Sequence, residues 1–283
     1  MKMSSRFYLG LNAHGFHRLH YLEWAAPGEK PTAVCVHGLT RNARDFDALA
    51  ATMQTEFRVI CPDVAGRGKS DWLAGAGDYG LAQYAADMTA LIARLDVERV
   101  DWVGASMGGL IGMSLASRPG TPIRRLILND VGPYIAQSAM QRIAEYVGED
   151  PRFAELAEAE AYLRRVHAPM GRLSDDQWRH MAEHSTRRLE DGGYRLHYDP
   201  AIGNMFRKEA IEAIDLWHVW DAIRCPVLVL RGAQSDVLTA ETAREMTQRG
   251  PGARVETLAD IGHAPALHAA DQIGLIRAWL GQT

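Results

Sequence analysis

A serine stands between glycines in the stretch Gly104-Ala105-Ser106-Met107-Gly108, and the chain carries Asp236 and His263 well beyond it. A hydroxyl is a weak nucleophile at neutral pH. It becomes a strong one when an imidazole takes its proton and a carboxylate orients that imidazole. These three residue types point to attack on a carbonyl carbon, followed by hydrolysis of a covalent intermediate. The flanking sequence adds a mechanical reason. Val100-Asp101-Trp102-Val103 favours a strand, and Leu110-Ile111-Gly112-Met113-Ser114-Leu115-Ala116 favours a helix. A serine at a sharp strand-to-helix turn is held up by a strained backbone with its hydroxyl presented. Glycines two residues before and two after let strand and helix approach without side-chain clashes.

The elements that must position these groups can be read from hydrophobic pattern. Ala33-Val34-Cys35-Val36, Phe57–Cys61, Arg125–Asp130 and Cys225–Leu230 are short apolar runs. Such runs suit strands buried on both faces of a parallel sheet. Helical spacing over residues 44–50 and 84–95 alternates with them. The expectation is an α/β protein with a mostly parallel sheet flanked by helices and right-handed crossovers. Residues 6–24 read instead as two antiparallel strands around the His14-Gly15 turn, with His14, His17 and His20 as surface histidines.

In such sheets the loops after the strands carry the site. His263 lies in the loop between the Ala253–Leu258 run and a closing helix over 270–280. Asp236 lies in the loop after Val227–Leu230 and is taken as the acid. Asp130, also just after a strand, is the second candidate, and Asp260 reads as a turn carboxylate.

The alternation stops over residues 134–217, which read as helices at 138–147, 153–166 and 175–189, the last capped by Ser174. The expected organisation is a core from 1–133, a helical cap or lid over 134–217, and the rest of the core from 218–283. Trp178, Met181, Met205, Phe206 and Trp217 are candidates for the cavity wall or for the core of the lid.

Composition narrows the rest. The chain has 283 residues, 47% hydrophobic, with 31 basic and 35 acidic residues mixed along it. No basic run suits nucleic acid, and no apolar run approaches the ~20 residues of a membrane span. No secretory leader is read at the N-terminus, so a cytoplasmic protein is expected. Cys35, Cys61 and Cys225 are dispersed, odd in number and set in apolar runs, and read as buried small hydrophobes. The loop Ala65-Gly66-Arg67-Gly68-Lys69-Ser70 lacks the first glycine of a phosphate-binding loop, and no dinucleotide fingerprint opens a helix. No cofactor and no metal are expected.

The chain resembles the α/β-hydrolase fold superfamily, in its serine-nucleophile, esterase-like form, over nearly its whole length. The segments that carry this are His37-Gly38, the loop from Asp63 to Asp71, the serine turn, and the Asp236/His263 pair, in the order serine, acid, histidine. The resemblance implies that the backbone N–H groups of Leu39 and Met107 receive the oxyanion. His37 is read as orienting that loop through hydrogen bonds rather than as the base, and Arg41 and Arg67 as loop-bracing or solvated groups rather than as contacts for a substrate carboxylate. The resemblance further implies a hydrolase cleaving carboxylic esters of small or medium soluble substrates through an acyl-enzyme. Short-chain or hydroxyacid esters, soluble hydroxyalkanoate oligomers among them, are the expected class. Carbon–carbon bond hydrolysis, lactone hydrolysis and acyl transfer use the same side chains, and a non-enzymatic receptor could share the scaffold.

Overall fold

The computed structural model describes residues 2–207 and 210–282. Its main sheet is built from β1 (Lys2–Asn12), β2 (Gly15–Ala25), β3 (Thr32–Val36), β4 (Arg58–Pro62), β5 (Val100–Ala105) and β6 (Ile123–Asn129). Five short strands follow: β7 (Tyr134–Ile135), β8 (Arg152–Phe153), β9 (Thr186–Arg188), β10 (Tyr194–Leu196) and β11 (Ile214–Asp215). β12 (Val227–Gly232) and β13 (Arg254–Leu258) then complete the main sheet in the order β1-β2-β4-β3-β5-β6-β12-β13. β1, β2 and β4 pair antiparallel, and every later neighbour is parallel.

The pattern of the strands explains their place. Every residue of β3 and β12 is buried. Each Val, Ile or Leu so buried contributes about 1.5–3 kcal/mol. The covering helices are α1 (Asp47–Met53), α2 (Leu81–Leu95), α3 (Met107–Ala116), α8 (Ala240–Met246) and α9 (Ala270–Leu280). Leu49, Met53, Ile273 and Ile276 form one apolar layer with Cys35, Cys61 and Leu230, while Met88, Leu91 and Ile111 belong to the layer on the other face. Cys35 and Cys61 are fully buried, Cys225 is half-buried, and all three are free thiols.

Between β6 and β12 the chain forms α4 (Gln137–Ala144), α5 (Leu156–Val166), α6 (Asp175–Ser185) and α7 (Trp217–Ala222). The expectation of helices alone is corrected here. β8, β10 and β9 make a small antiparallel sheet, and β7 pairs with β11. Strands of two or three residues are too short to show a period of two. Thr186, β-branched and extended, ends α6 at Ser185, four residues before the sequence pattern suggested. Ser174 does cap α6, in a reciprocal capping box with Gln177.

The β1–β2 hairpin is as expected, but two of its histidines are not on the surface. His17 is buried against Asp87 of α2 at 2.9 Å, and His20 is buried between Asp63 at 2.7 Å and Ser5 at 2.8 Å. α2 and the Asp63 loop cover that face of the hairpin. His14 is exposed. Among the described residues no helix is long and apolar enough to cross a membrane.

Candidate active site

The turn between β5 and α3 puts Ser106 at φ 49°, ψ −114°, a conformation costly for any residue with a Cβ. It is over-determined by its surroundings. The Ser106 N–H donates to the Asn129 carbonyl at 3.0 Å, and the Ser106 carbonyl accepts from the N–H groups of Gly109 and Leu110. The flanking glycines are required: a Cβ on Gly104 would lie 2.3 Å from the Gly108 carbonyl oxygen, and one on Gly108 would lie 2.0 Å from that of Val36.

His263 sits in the loop after β13. Its Nε2 lies 2.9 Å from Ser106 Oγ and its Nδ1 lies 2.8 Å from an oxygen of Asp130. A carboxylate only accepts, so Nδ1 carries the proton and Nε2 offers its lone pair to the serine hydroxyl. The loop is anchored from several directions. The Gly262 N–H donates to the Pro169 carbonyl, the Gln234 N–H to the Ile261 carbonyl, and the Asn129 amide to the Pro265 carbonyl.

The acid is where the sequence assignment is corrected. Asp130, fully buried just after β6, accepts from Gly232 N–H at 2.7 Å, Ser235 Oγ at 2.6 Å, His263 Nδ1 and Ala264 N–H at 3.1 Å. Asp236 does lie in the loop after β12, but its carboxylate turns away. It pairs with Arg142 of α4 through two hydrogen bonds of 2.5 and 2.9 Å, with its side chain 47% exposed. Partial burial alone would raise the Asp236 pKa; the hydrogen bonds and charge of Arg142 outweigh it and hold the carboxyl below its usual range. Ser235, one residue earlier, takes the inward position. Asp260 is an exposed residue at φ 58°, as its turn reading requires.

The loop after β3 carries the other polar machinery. His37 is fully buried and its pKa is lowered to about 4, chiefly because burial disfavours the charged ring. The neutral ring donates from Nδ1 to the Gly38 carbonyl at 2.7 Å and accepts the Val64 N–H at Nε2, 3.0 Å away. The Gly38 carbonyl also accepts from the Arg41 N–H. In a trans peptide the Leu39 N–H points opposite to that carbonyl, away from His37. Arg67, buried, holds the Leu39 carbonyl at 2.8 Å and also bonds Tyr84 Oη and the Ala65 carbonyl. Arg41 is locked to Asp45 and to Ser185 Oγ at 3.0 Å. Both arginines thus brace loops. The N–H groups of Leu39 and Met107 donate to no group among the described residues.

A pocket opens over Ser106 and His263, lined by Gly38, Leu39 and Met107 from the core and by Ile135, Met140, Arg142, Ile143, Tyr146 and His167 from the inserted segment. Met205 and Phe206 line it; Trp178 and Met181 are buried within the segment, and Trp217 packs under the Arg249 guanidinium. His167 went unnoticed in the sequence, where nothing marks it. Burial, then the nearness of Arg41 and His263, pushes its pKa well below the ordinary value, so a neutral imidazole faces the pocket. Asp47, His180 and His184 bring metal-ligating atoms together, and none of them bonds Ser106, Asp130 or His263.

Comparison with known proteins agrees with this architecture. The alpha/beta hydrolase fold family matches residues 31–269. The chain is 48% identical over 269 residues, 92% of each chain, to the 3-hydroxybutyrate-oligomer hydrolase of Cupriavidus necator. An alpha/beta hydrolase structure from Novosphingobium aromaticivorans superposes with a TM-score of 0.87 at 35% identity over 98% of each chain. The structure of a protein from Rickettsia typhi gives 0.91 at 32% identity over the full length of both.

Proposed function

Because the chain belongs to the alpha/beta hydrolase family and is a hydrolase, we propose that it cleaves carboxylic esters of short soluble hydroxyacids through an acyl-enzyme on Ser106. The observation that carries this reading is the continuous relay Ser106–His263–Asp130, with contacts of 2.9 and 2.8 Å. As His263 Nε2 takes the proton, Ser106 Oγ attacks the ester carbonyl. The oxyanion is received by the N–H groups of Leu39 and Met107. Each donor of this kind is worth about 10²–10³ in rate. Asp130 keeps the imidazole in the productive tautomer and stabilises its cation. The protonated His263 then gives its proton to the leaving alcohol. His263 next takes a proton from water as the water oxygen attacks the acyl carbonyl; the bond to Ser106 Oγ then breaks, Oγ regains the proton from His263, and the acid departs.

The substrate class rests on the relative's action on 3-hydroxybutyrate oligomers and on a wall that mixes Ile135, Met140 and Ile143 with Arg142 and His167. Apolar residues suit short methyl-branched chains, and the polar groups suit their hydroxyl and carboxylate ends. We infer that the inserted segment acts as the cap that shapes this wall. The test is hydrolysis of 3-hydroxybutyrate dimer and trimer by the pure protein, beside an aryl ester, a lactone and a 1,3-diketone. Oligomer cleavage abolished by Ser106→Ala is expected. Preferential cleavage of the diketone or lactone, or undiminished ester hydrolysis by Ser106→Ala, would overturn the reading.

A further inference from the structure

His180 and His184 lie four residues apart on α6, a spacing that puts both rings on one helix face. Their ring centroids are 4.5 Å apart. Facing them from the core is Asp47, the first residue of α1. One ligating atom of each of the three lies within 4.8 Å of the others. His180 Nε2 lies 3.1 Å from Asp47 Oδ2, an ion-pair contact short of good hydrogen-bond geometry, and Asp47 Oδ1 is a buried atom without a hydrogen-bond partner. The cluster thus holds ligating capacity that its own members do not fill, an open Asp47 oxygen beside two imidazoles. The cluster's own chemistry says what would fill it.

We propose that His180, His184 and Asp47 form a binding site for a divalent cation of the zinc class, which ties the inserted segment to the core. Two imidazoles and a carboxylate are ligands that zinc, cobalt and nickel share, and three protein ligands leave a further position to water. Tetrahedral ligands around zinc sit roughly 3.4 Å apart, so a small inward shift of the rings closes the site. The resident competitor is Arg44, whose Nε donates to Asp47 Oδ2 at 2.6 Å and whose Nη1 is 3.5 Å from His184 Nδ1. Its side chain is 30% exposed and can turn out to solvent when a cation takes its place. The site joins two pieces of the pocket rim. Phe46, beside Asp47, lines the pocket, and Ser185, beside His184, holds Arg41, which also lines it. A bound cation therefore pins α6 at the edge of the pocket over Ser106.

The test needs no substrate and so stands apart from the proposed activity. The full chain, stripped with chelator, is titrated with Zn²⁺ by calorimetry and with Co²⁺ by visible absorption, and its Tm is read with and without Zn²⁺. The expected result is one cation per chain at roughly micromolar zinc, a raised Tm, and a Co²⁺ spectrum of low coordination number. The double variant His180→Ala/His184→Ala, checked for its fold by circular dichroism, should weaken binding at least about tenfold. Arg44→Met, which keeps all three ligands and removes the competing charge, should tighten it severalfold. Absence of binding below about 1 mM zinc, or affinity unchanged in both variants, would overturn the proposal.

Discussion

Two loops leave the ends of neighbouring strands β6 and β12, and each carries an aspartate that could serve His263. Asp130 is fully buried and takes four hydrogen bonds, from two backbone N–H groups, a serine and the imidazole. Asp236 is half-exposed and spends both oxygens on Arg142. The first is a pre-organised acceptor in a dry site, where its charge acts on the imidazole almost undiluted. The second is a surface ion pair that joins the inserted segment to the core. The lesson is that a position after a strand makes a carboxylate eligible, and donor geometry decides which one serves. Ser235 embodies the difference: it bonds Asp130 and also accepts the Val237 and Leu238 N–H groups, which turns the next side chain, that of Asp236, outward.

Exchanging each carboxylate for its amide should separate the two aspartates by the largest margin. Asp130→Asn gives His263 a donor where it needs an acceptor and favours the wrong tautomer, so kcat should fall about 10⁴-fold. Asp236→Asn should change kcat less than about tenfold, since it touches the reaction only through Arg142 on the pocket wall. Steady-state ester hydrolysis by the two purified variants checks both.

A smaller loss is expected at His37, which holds the loop after β3, proposed to receive the oxyanion, without touching Ser106 or His263. His37→Ala removes one of the two donors to the Gly38 carbonyl and leaves the Val64 N–H without its acceptor, and kcat should fall about 10–10²-fold with little change in KM. His37 also predicts a pH effect. Its folded pKa, about 4, is below the ordinary 6.5, so the unfolded chain binds more protons between these values. Its contribution to stability is full above about 6.5, declines as pH falls toward 4, and is gone below. Denaturant unfolding across that range should show a decline that His37→Ala blunts.

The smallest effect belongs to the Asp236–Arg142 pair. Half-exposed and screened by solvent, it should contribute about 0–1 kcal/mol. Because the Asp236 pKa is depressed in the folded protein, that contribution is present above the ordinary carboxylate value of 3.8 and is lost as pH falls through the folded value. A double-mutant cycle of Asp236→Asn with Arg142→Gln, by denaturant melts at pH 7, should return a coupling inside that range.

Much of the molecule is legible in the chain because the signals are local. The apolar runs that became β3, β6 and β12, the glycines at 104 and 108, and the strand–histidine–helix order around His263 each carry their meaning within a few residues. His37 and Arg67 could be read as loop-bracing groups for the same reason. The choice between Asp130 and Asp236 depends on Arg142, some 94 residues away, and on donors from Gly232 and Ala264. The burial of His17 and His20 depends on Asp87 and Asp63, likewise remote in sequence. In the inserted segment the short strands lie below the length at which a period can be seen. The pocket wall there is assembled from side chains such as His167 and Tyr146 that meet only after folding.

His263, held by Asp130, is proposed to activate Ser106. The rate at which a fluorophosphonate labels Ser106, followed by intact mass, reads that activation without knowledge of the substrate. The parent protein and Asp236→Asn should be labelled at rates within a few-fold of each other, and Asp130→Asn more slowly by about 10³-fold or more. Fast labelling of Asp130→Asn together with slow labelling of Asp236→Asn would contradict that role of Asp130.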